Sequence, residues 1–383
     1  MDHTVVHFAA IRRRAAGAGS IAAAMDLDFA DLLLEVIERN ASDLHLTAGA
    51  RPTVRVRGRL TPLEEYPVMT TEMTREIVYS ILSNDQRQRL ETDWQLDFAY
   101  SIPGRARFRV NAYYQRSAIG AAFRLIPAVI KSLDELGMPA VLHELAKKPR
   151  GFVLVTGPTG SGKSTSLAAV VDEINRSREE HIMTIEDPIE FLHGHKKCII
   201  NQREIGTDAR SFAEGLKAAL RQDPDVILVG EMRDLETIHT ALTAAETGHL
   251  VFATLHTQDT PQTIDRIIDV FPSSQQQQVR VQLSVALQGI VTQQLLPTAD
   301  GAGRIAACEV LLATPAIRNL IREGKTHQIY SSLQTGGNLG MQTMDAALAT
   351  LVRSGKITQK LAEARSSTPE ELRRLLGAGS FAV

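Results

Sequence analysis

The chain has 383 residues, room for two or three domains, and 44% of them are apolar, enough for sizeable cores. A formal net charge of −2 provides no global field to draw nucleic acid or an anionic membrane. No apolar run approaches the roughly 18 residues of a membrane span. The two cysteines, Cys198 and Cys308, stand far apart and outside any C-x-x-C, which argues against a zinc site or a disulfide framework and fits a reducing compartment.

Residues 1–24 carry Arg12, Arg13 and Arg14 ahead of an Ala/Gly-rich stretch too weak to be the apolar core of a signal peptide. A disordered extension is expected there, with Met25 as an alternative start. Residues 27–38 place Leu27, Ala30, Leu33, Leu34 and Ile37 at helical spacing. Short strands are predicted over 43–47, 53–56 and 60–63, helices over 70–82 and 84–90, and a strand meander over 94–100, 105–114 and 118–126. These make a small α+β domain over 25–126. Pro127, Pro139 and Pro149 punctuate a charged stretch that predicts a linker over 127–150.

From residue 151 short apolar strands alternate with helices. Strands are predicted over 151–157, 181–186, 226–231 and 250–256, with helices over 163–175, 211–220 and 235–245. That alternation is the pattern of a parallel sheet covered on both faces. From about 261 onward the pattern is mostly helical, with 304–312 as the one strand-like exception.

Gly157-Pro158-Thr159-Gly160-Ser161-Gly162-Lys163-Ser164-Thr165 matches G-x-x-x-x-G-K-[ST] in full, and it stands between a predicted strand and a predicted helix, the context the motif requires. Its glycines let backbone N–H groups converge on phosphate, and the helix N-terminus adds partial positive charge. Lys163 would reach the β- and γ-phosphates of ATP, and Ser164 would offer its hydroxyl to Mg²⁺. The other predicted strands also end in polar groups. Glu186, Asp187 and Glu190 follow one; Gly230 and Glu231 end another, with Gly230 where a P-loop enzyme usually carries its strand-end aspartate; His256 ends the last. In a parallel sheet these tips share one edge. An acid there can act on Mg²⁺ or on the attacking water, and His256 could sense the γ-phosphate. Glu231 could equally cap the following helix, and His256 could simply be packed. Arg105, Arg107 and Arg109 alternate with Ala106, Phe108 and Val110, so one strand face carries three guanidiniums, and Arg124 follows on the next strand. Such a face is either solvated or aimed at a phosphate on a neighbouring subunit, a task that suits the planar fork of arginine.

These pieces resemble the type II/IV secretion ATPases, and within them the PilT-type retraction ATPases of type IV pili, over about residues 25–376. Ala41-Ser42-Asp43-Leu44-His45-Leu46 is similar to the opening signature of that family's PAS-like N-terminal domain, residues 184–190 to its Asp box, 225–234 to its Walker B box and 248–257 to its His box. Ala316-Ile317-Arg318-Asn319-Leu320-Ile321-Arg322-Glu323 and Gly340-Met341-Gln342-Thr343-Met344-Asp345 resemble retraction signatures. Where assembly ATPases carry a tetracysteine zinc motif, residues 297–303 hold no cysteine. The resemblance implies an α/β fold: a PAS-like α+β domain, a RecA-like P-loop ATPase domain, then a helical C-terminal region. It implies a cytoplasmic homohexameric motor, peripheral at the inner face of the membrane, that hydrolyses ATP with Mg²⁺ to retract a pilus. It implies a platform protein of the inner membrane and a paralogous pilus ATPase as partners, with no nucleic acid and no membrane insertion. It also implies that Glu190 is the water-activating base, Glu231 the acid on the Mg²⁺ side, and Arg109 and Arg124 arginines acting in trans; the residues by themselves leave the roles of Glu190 and Glu231 open. Rival readings are an accessory motor of the PilU type, a RecA-like nucleic-acid translocase, and a non-catalytic nucleotide-binding scaffold.

Overall fold

Two units, Met1–Ile126 and Pro127–Val383, emerge from how the apolar residues pack. The computed structural model describes residues 29–102, 105–126 and 129–377. The extension predicted over 1–24, and the start of the first predicted helix, lie outside the described residues.

In the first unit, β1 (Asp43–Leu46), β2 (Thr53–Val56), β3 (Arg59–Pro62), β4 (Gln95–Ile102), β5 (Ala106–Gln115) and β6 (Ala118–Ile126) form an antiparallel sheet in the order β3-β2-β1-β6-β5-β4. Helices α1 (Phe29–Glu38), α2 (Thr71–Ser80) and α3 (Asn84–Asp93) supply Leu32, Leu33, Val78 and Leu90 to a core with Phe108, Val110, Ala112 and Phe123. Period-two alternation thus sends Phe108 and Val110 inward and leaves Arg109 exposed on the opposite face. Ser83 and Gln86 close a reciprocal capping box that fixes where α3 begins.

The second unit opens with α4 (Val141–Ala146) and builds a seven-stranded sheet from β7 (Gly151–Thr156), β8 (His181–Glu186), β9 (Ile199–Glu204), β10 (Val226–Val229), β11 (Leu250–Leu255), β12 (Leu287–Pro297) and β13 (Arg304–Leu312), in the order β13-β12-β7-β11-β10-β8-β9. All neighbours are parallel except β12 and β13. Helices α5 (Lys163–Ser177), α6 (Phe212–Ala219), α7 (Leu235–Glu246), α8 (Thr260–Asp269) and α9 (Ser273–Ala286) connect these strands up to β12, except that β9 follows β8 without a helix between them. After β13 come α10 (Pro315–Arg322), α11 (Ile329–Thr335), α12 (Met344–Arg353), α13 (Gln359–Arg365) and α14 (Pro369–Leu375). Alternate residues of the central strands enter two separate cores: Phe152, Leu154 and Ile227 pack with α6 to α10, while Val153, Val155 and Leu228 pack with α4 and α5. Helices therefore cover both faces, as the near-continuous apolar strands require.

Three expectations are corrected. The stretch 127–150 is not a linker: Leu133, Met138, Leu142, Leu145 and Ala146 are buried against Val153, Val155 and Leu167 of the second unit. The segment after 261 holds a second long strand, β12, beside the P-loop strand, so it is less helical than its pattern predicts. Strand β9 extends the sheet beyond the acid-bearing strand and has no counterpart in the sequence reading. Among the described residues no helix is long and apolar enough to cross a membrane.

Candidate functional site

The phosphate loop joins β7 to α5, and its backbone explains its glycines. Gly157, Gly160 and Gly162 have φ of 136°, 79° and 90°, in the region that disfavours side chains. At Gly157 a Cβ would also strike the Gln293 carbonyl oxygen and approach Ser161 Oγ to 2.7 Å. Strand β12 lies directly behind: Gln293 Nε2 donates to Ser161 O at 2.6 Å, and Thr156 and Thr292 share a buried hydroxyl bond of 2.7 Å. Lys163, the first residue of α5, is buried, and its ammonium donates to the carbonyls of Gly157 at 2.8 Å and Pro158 at 3.2 Å. Burial lowers its pKa, against the carboxylates of Glu231 and Glu190, which favour the cation. Ser161 Oγ and Gln293 Oε1 are buried and find no hydrogen-bond partner among the described residues. A loop of left-handed glycines, a lysine held over it by carbonyls, hydroxyls at Ser164 and Thr165, and an orphaned polar atom in its wall fit a magnesium-bound triphosphate.

The strand tips converge as the parallel order requires. Reading across from the phosphate loop, the sheet edge presents His256 after β11, Glu231 after β10 and Glu186 at the end of β8. His256 Nε2 lies 3.0 Å from Glu231 Oε1, and Arg233 Nη2 lies 2.6 Å from Oε2. Burial pushes the Glu231 carboxyl up, but the Arg233 hydrogen bond and the charges of His256 and Arg233 outweigh it and hold the carboxyl below its ordinary range. Glu231 therefore stays ionised, which suits the side of a cation better than the work of a base. Glu231 is not the capping acid of α7; Asp234 is, accepting from Thr237 N at 2.8 Å. Nor does His256 cap α8, since Asp259 does so. Gly230 stands where an acid was expected, and a Cβ there would meet Glu186 Cα and Ile185 O at 3.2 Å, so a side chain at this strand end would be tightly packed against β8. Thr254 Oγ1 locks the same residue by donating to Gly230 O at 2.5 Å.

The two other acids differ. Glu186 is turned inward, accepting from Thr184 Oγ1 at 2.6 Å and Gln202 Nε2 at 3.2 Å, and burial raises its pKa despite those bonds. Glu190 is exposed and within electrostatic reach of Lys163. Arg109 and Arg124 belong to the first unit, where they are direct cross-strand partners. The row continues: Arg124 pairs in register with Asp43, and Asp43 with Arg55. Arg124 Nε lies 2.9 Å from Asp43 Oδ1. The Asp43 carboxyl, raised by burial, is brought below its ordinary range by Ser42 and Arg124. Arg107 is half-buried on the same strand with Nη1 donating to Ser101 Oγ at 3.4 Å, and Arg105 precedes the strand.

Sequence reasoning missed Arg233, Gln293 and Gln202. Arg233 sits in the loop after β10, where no periodicity points to it, and the two glutamines lie on the two strands the pattern did not reveal. Residues 316–323 form most of α10. Ile317 and Ile321 are buried in the core, and Arg318 donates to the last carbonyls of α9, Ser284 O and Val285 O, capping that helix. Met341 and Met344 are buried, and Gln342 exchanges backbone hydrogen bonds with Val310 and donates from Nε2 to Cys308 O at 2.7 Å.

Comparison with known proteins agrees with this geometry. The Type II/IV secretion system protein family matches residues 22–374. The type IV pilus retraction ATPase PilT of Pseudomonas aeruginosa is 51% identical over 344 residues, 90% of this chain and 99% of that one. The type IV pilus ATPase PilU of the same organism is 44% identical over 354 residues, 92% of each chain. The crystal structure of the pilus retraction motor PilT with bound ADP superposes with a TM-score of 0.86 at 50% identity, covering 91% of this chain and all of that one. With a complete P-loop at the acid-lined edge of a parallel sheet, this chain is an ATPase that belongs to the type II/IV secretion system protein family and is similar to PilT along nearly its whole described length.

Proposed function

We propose that this chain is the motor that retracts a type IV pilus, working as a homohexameric ring at the inner face of the cytoplasmic membrane. The observation that carries the reading is the convergence of the P-loop, His256 and Glu231 on one sheet edge, in a chain half identical to PilT over 90% of its length. The first unit is read as PAS-like and the second as RecA-like.

In this reading the loop from Gly157 to Thr165 binds ATP through backbone N–H groups and the α5 N-terminus. Lys163 leaves its loop carbonyls for the β- and γ-phosphates. Ser164 and Glu231 hold Mg²⁺, which supplies neutralisation of the charge that develops on the phosphates. Glu190 takes the proton of the attacking water, because Glu186 is committed inward and Glu231, its proton affinity lowered by Arg233 and His256, is a weak base. His256, touching Glu231, reports whether the γ-phosphate is present. Arg109 and Arg124 act on the phosphate of a neighbouring subunit, a contribution of about 10³–10⁵ in turnover where such arginines are used. Turnover then drives the ring, which passes its motion to a platform protein of the inner membrane, with a paralogous ATPase as a second partner.

The test is a deletion strain followed by direct observation of pili. Retraction and twitching motility should stop, return with the wild-type gene, and stay absent with Lys163→Ala or Glu231→Gln. Persistent retraction in the deletion would instead favour an accessory motor of the PilU type. Turnover by monomeric protein at the assembled rate would remove the trans role of Arg109 and Arg124.

A further inference from the structure

We propose that edge strand β9 is a clamp for the acid-bearing loop, with Gln202 and Glu204 as positioning residues that hold Glu190 where it can meet water. The loop over residues 187–193 leaves β8 and runs back beside β9. Three alternate residues of it, Ile189, Phe191 and His193, are tied down. Ile189 N donates to Glu204 Oε2 at 3.0 Å, Phe191 O accepts from Gln202 Nε2 at 2.8 Å, and His193 N donates to Gln202 Oε1 at 2.8 Å. The side chains of Ile189 and Phe191 are buried, whereas Glu190 and Leu192 between them are exposed. The loop is therefore fastened on one side and presents Glu190 on the other.

The clamp follows from strand register. Gln202 lies opposite Thr184 and Glu204 opposite Glu186, so all four share one face of the β8–β9 pair. On that face Gln202 uses both amide hydrogens and its oxygen at once: one hydrogen goes to Phe191 O, the other to Glu186 Oε1, and the oxygen accepts from His193 N. Glu204 is buried, and its own backbone N–H is anchored by Asp208 Oδ2 at 2.9 Å. A half-buried glutamine whose two hydrogens and oxygen are all engaged is held in one orientation, and it passes that geometry to the loop. A base must be held close to its working position, because a displacement of about 1 Å can lower a rate on the order of 100-fold.

The inference rests on Glu190 being the base, and the experiment separates the two claims. Steady-state ATP hydrolysis by the full chain is measured for Gln202→Ala, Glu190→Gln and the double variant, with thermal melts to confirm folding. Gln202→Ala should lower kcat about 10- to 100-fold with KM for ATP within about twofold. In the Glu190→Gln background the same substitution should change kcat less than about twofold, since there is no base left to misplace. Glu204→Ala should act like Gln202→Ala, while Glu204→Gln, which keeps an acceptor for Ile189 N–H, should retain most of kcat; this pair carries the test if Gln202→Ala does not fold. A Glu190→Gln protein that hydrolyses ATP normally would overturn the base and the clamp together. An impaired Glu190→Gln beside an unimpaired Gln202→Ala would overturn the clamp alone. Equal loss from Gln202→Ala in both backgrounds would reduce the glutamine to a structural part.

Discussion

The phosphate loop and the acid loop occupy the same edge of one sheet, yet they are held in different ways. The phosphate loop is shaped by what it lacks: at Gly157 there is no room for a Cβ, and apart from its own Lys163, which bonds the Gly157 and Pro158 carbonyls, one side-chain bond, Gln293 to Ser161 O, supports it from behind. The acid loop is shaped by what grips it, three bonds from Gln202 and Glu204. A loop that binds ligand through its own backbone needs free N–H groups and tolerates few ties. A loop that only has to aim one carboxylate can be tied at every other residue.

The largest contrast expected is between two acids. Glu231→Gln removes the charge that His256 and Arg233 attend, so ATP should still bind while turnover falls on the order of 10²–10³. Glu186→Gln should stay within about threefold, because the amide keeps an oxygen to accept from Thr184 and Gln202 and carries no charge for burial to oppose. Single-turnover hydrolysis with bound-nucleotide counting checks both. A dead Glu186→Gln enzyme would mean that this carboxyl works in its charged form.

Next comes sterics within the phosphate loop. Gly157→Ala meets both a left-handed φ and the Gln293 carbonyl, and should weaken ATP binding about 100-fold, the equivalent of roughly 3 kcal/mol. Gly160→Ala meets a left-handed φ alone, with nothing within 4 Å, and should cost about 1 kcal/mol, or roughly fivefold. Titration with a fluorescent ATP analogue reads both; equal losses would show that backbone strain, not the support of β12, limits the loop. That support can be removed on its own. Gln293→Leu deletes the bond to Ser161 O and should raise KM for ATP about fivefold with little change in kcat, the reverse of the split expected for Gln202→Ala.

What was legible in the residues was local. The P-loop, the strand before it and the helix after it, and the acids and histidine at the strand tips each announce themselves within ten residues. Strands β9 and β12 did not, for reasons that can be named. Ile199–Glu204 is an edge strand with four polar residues out of six, because one side of it is wet and the other carries the clamp. Leu287–Pro297 follows α9 directly, with no glycine or proline between Ala286 and Leu287, so its residues read as more helix. Gln288, Gln293 and Gln294 within it discourage a reading as core strand, although Gln293 is there to meet the phosphate loop. The prolines of this stretch concealed the opposite error: Pro139 and Pro149 lie within a packed segment, where Leu133 and Leu142 are buried, rather than in a flexible join.

The smallest effect expected distinguishes the two loops by pH. His193 ends the acid loop, and burial lowers its pKa to about 4, Asp172 opposing and Lys196 reinforcing the shift. The unfolded chain takes up a proton near pH 6.5 that the folded chain refuses until about 4. Stability is therefore complete above about pH 6.5 and declines as the pH falls toward 4. Between pH 7 and pH 5 the loss should be about 1–2 kcal/mol, allowing for partial exposure. Other shifted groups, raised carboxylates such as Glu186 among them, are common to the wild type and a His193 variant and cancel between the two. His143, raised mainly by its Glu173 hydrogen bond, contributes stability that is present below pH 6.5 and lost only as the pH rises through its raised value. Lowered carboxylates such as Asp43 lose their contribution near and below the ordinary carboxylate range. Urea midpoints at pH 7 and pH 5 should therefore separate further for the wild type than for His193→Gln, which keeps the backbone N–H donated to Gln202 but has no imidazole to titrate. If the wild type and the variant decline in parallel over that window, His193 is not what makes the acid loop sensitive to acid, and the difference from the phosphate loop is one of geometry alone.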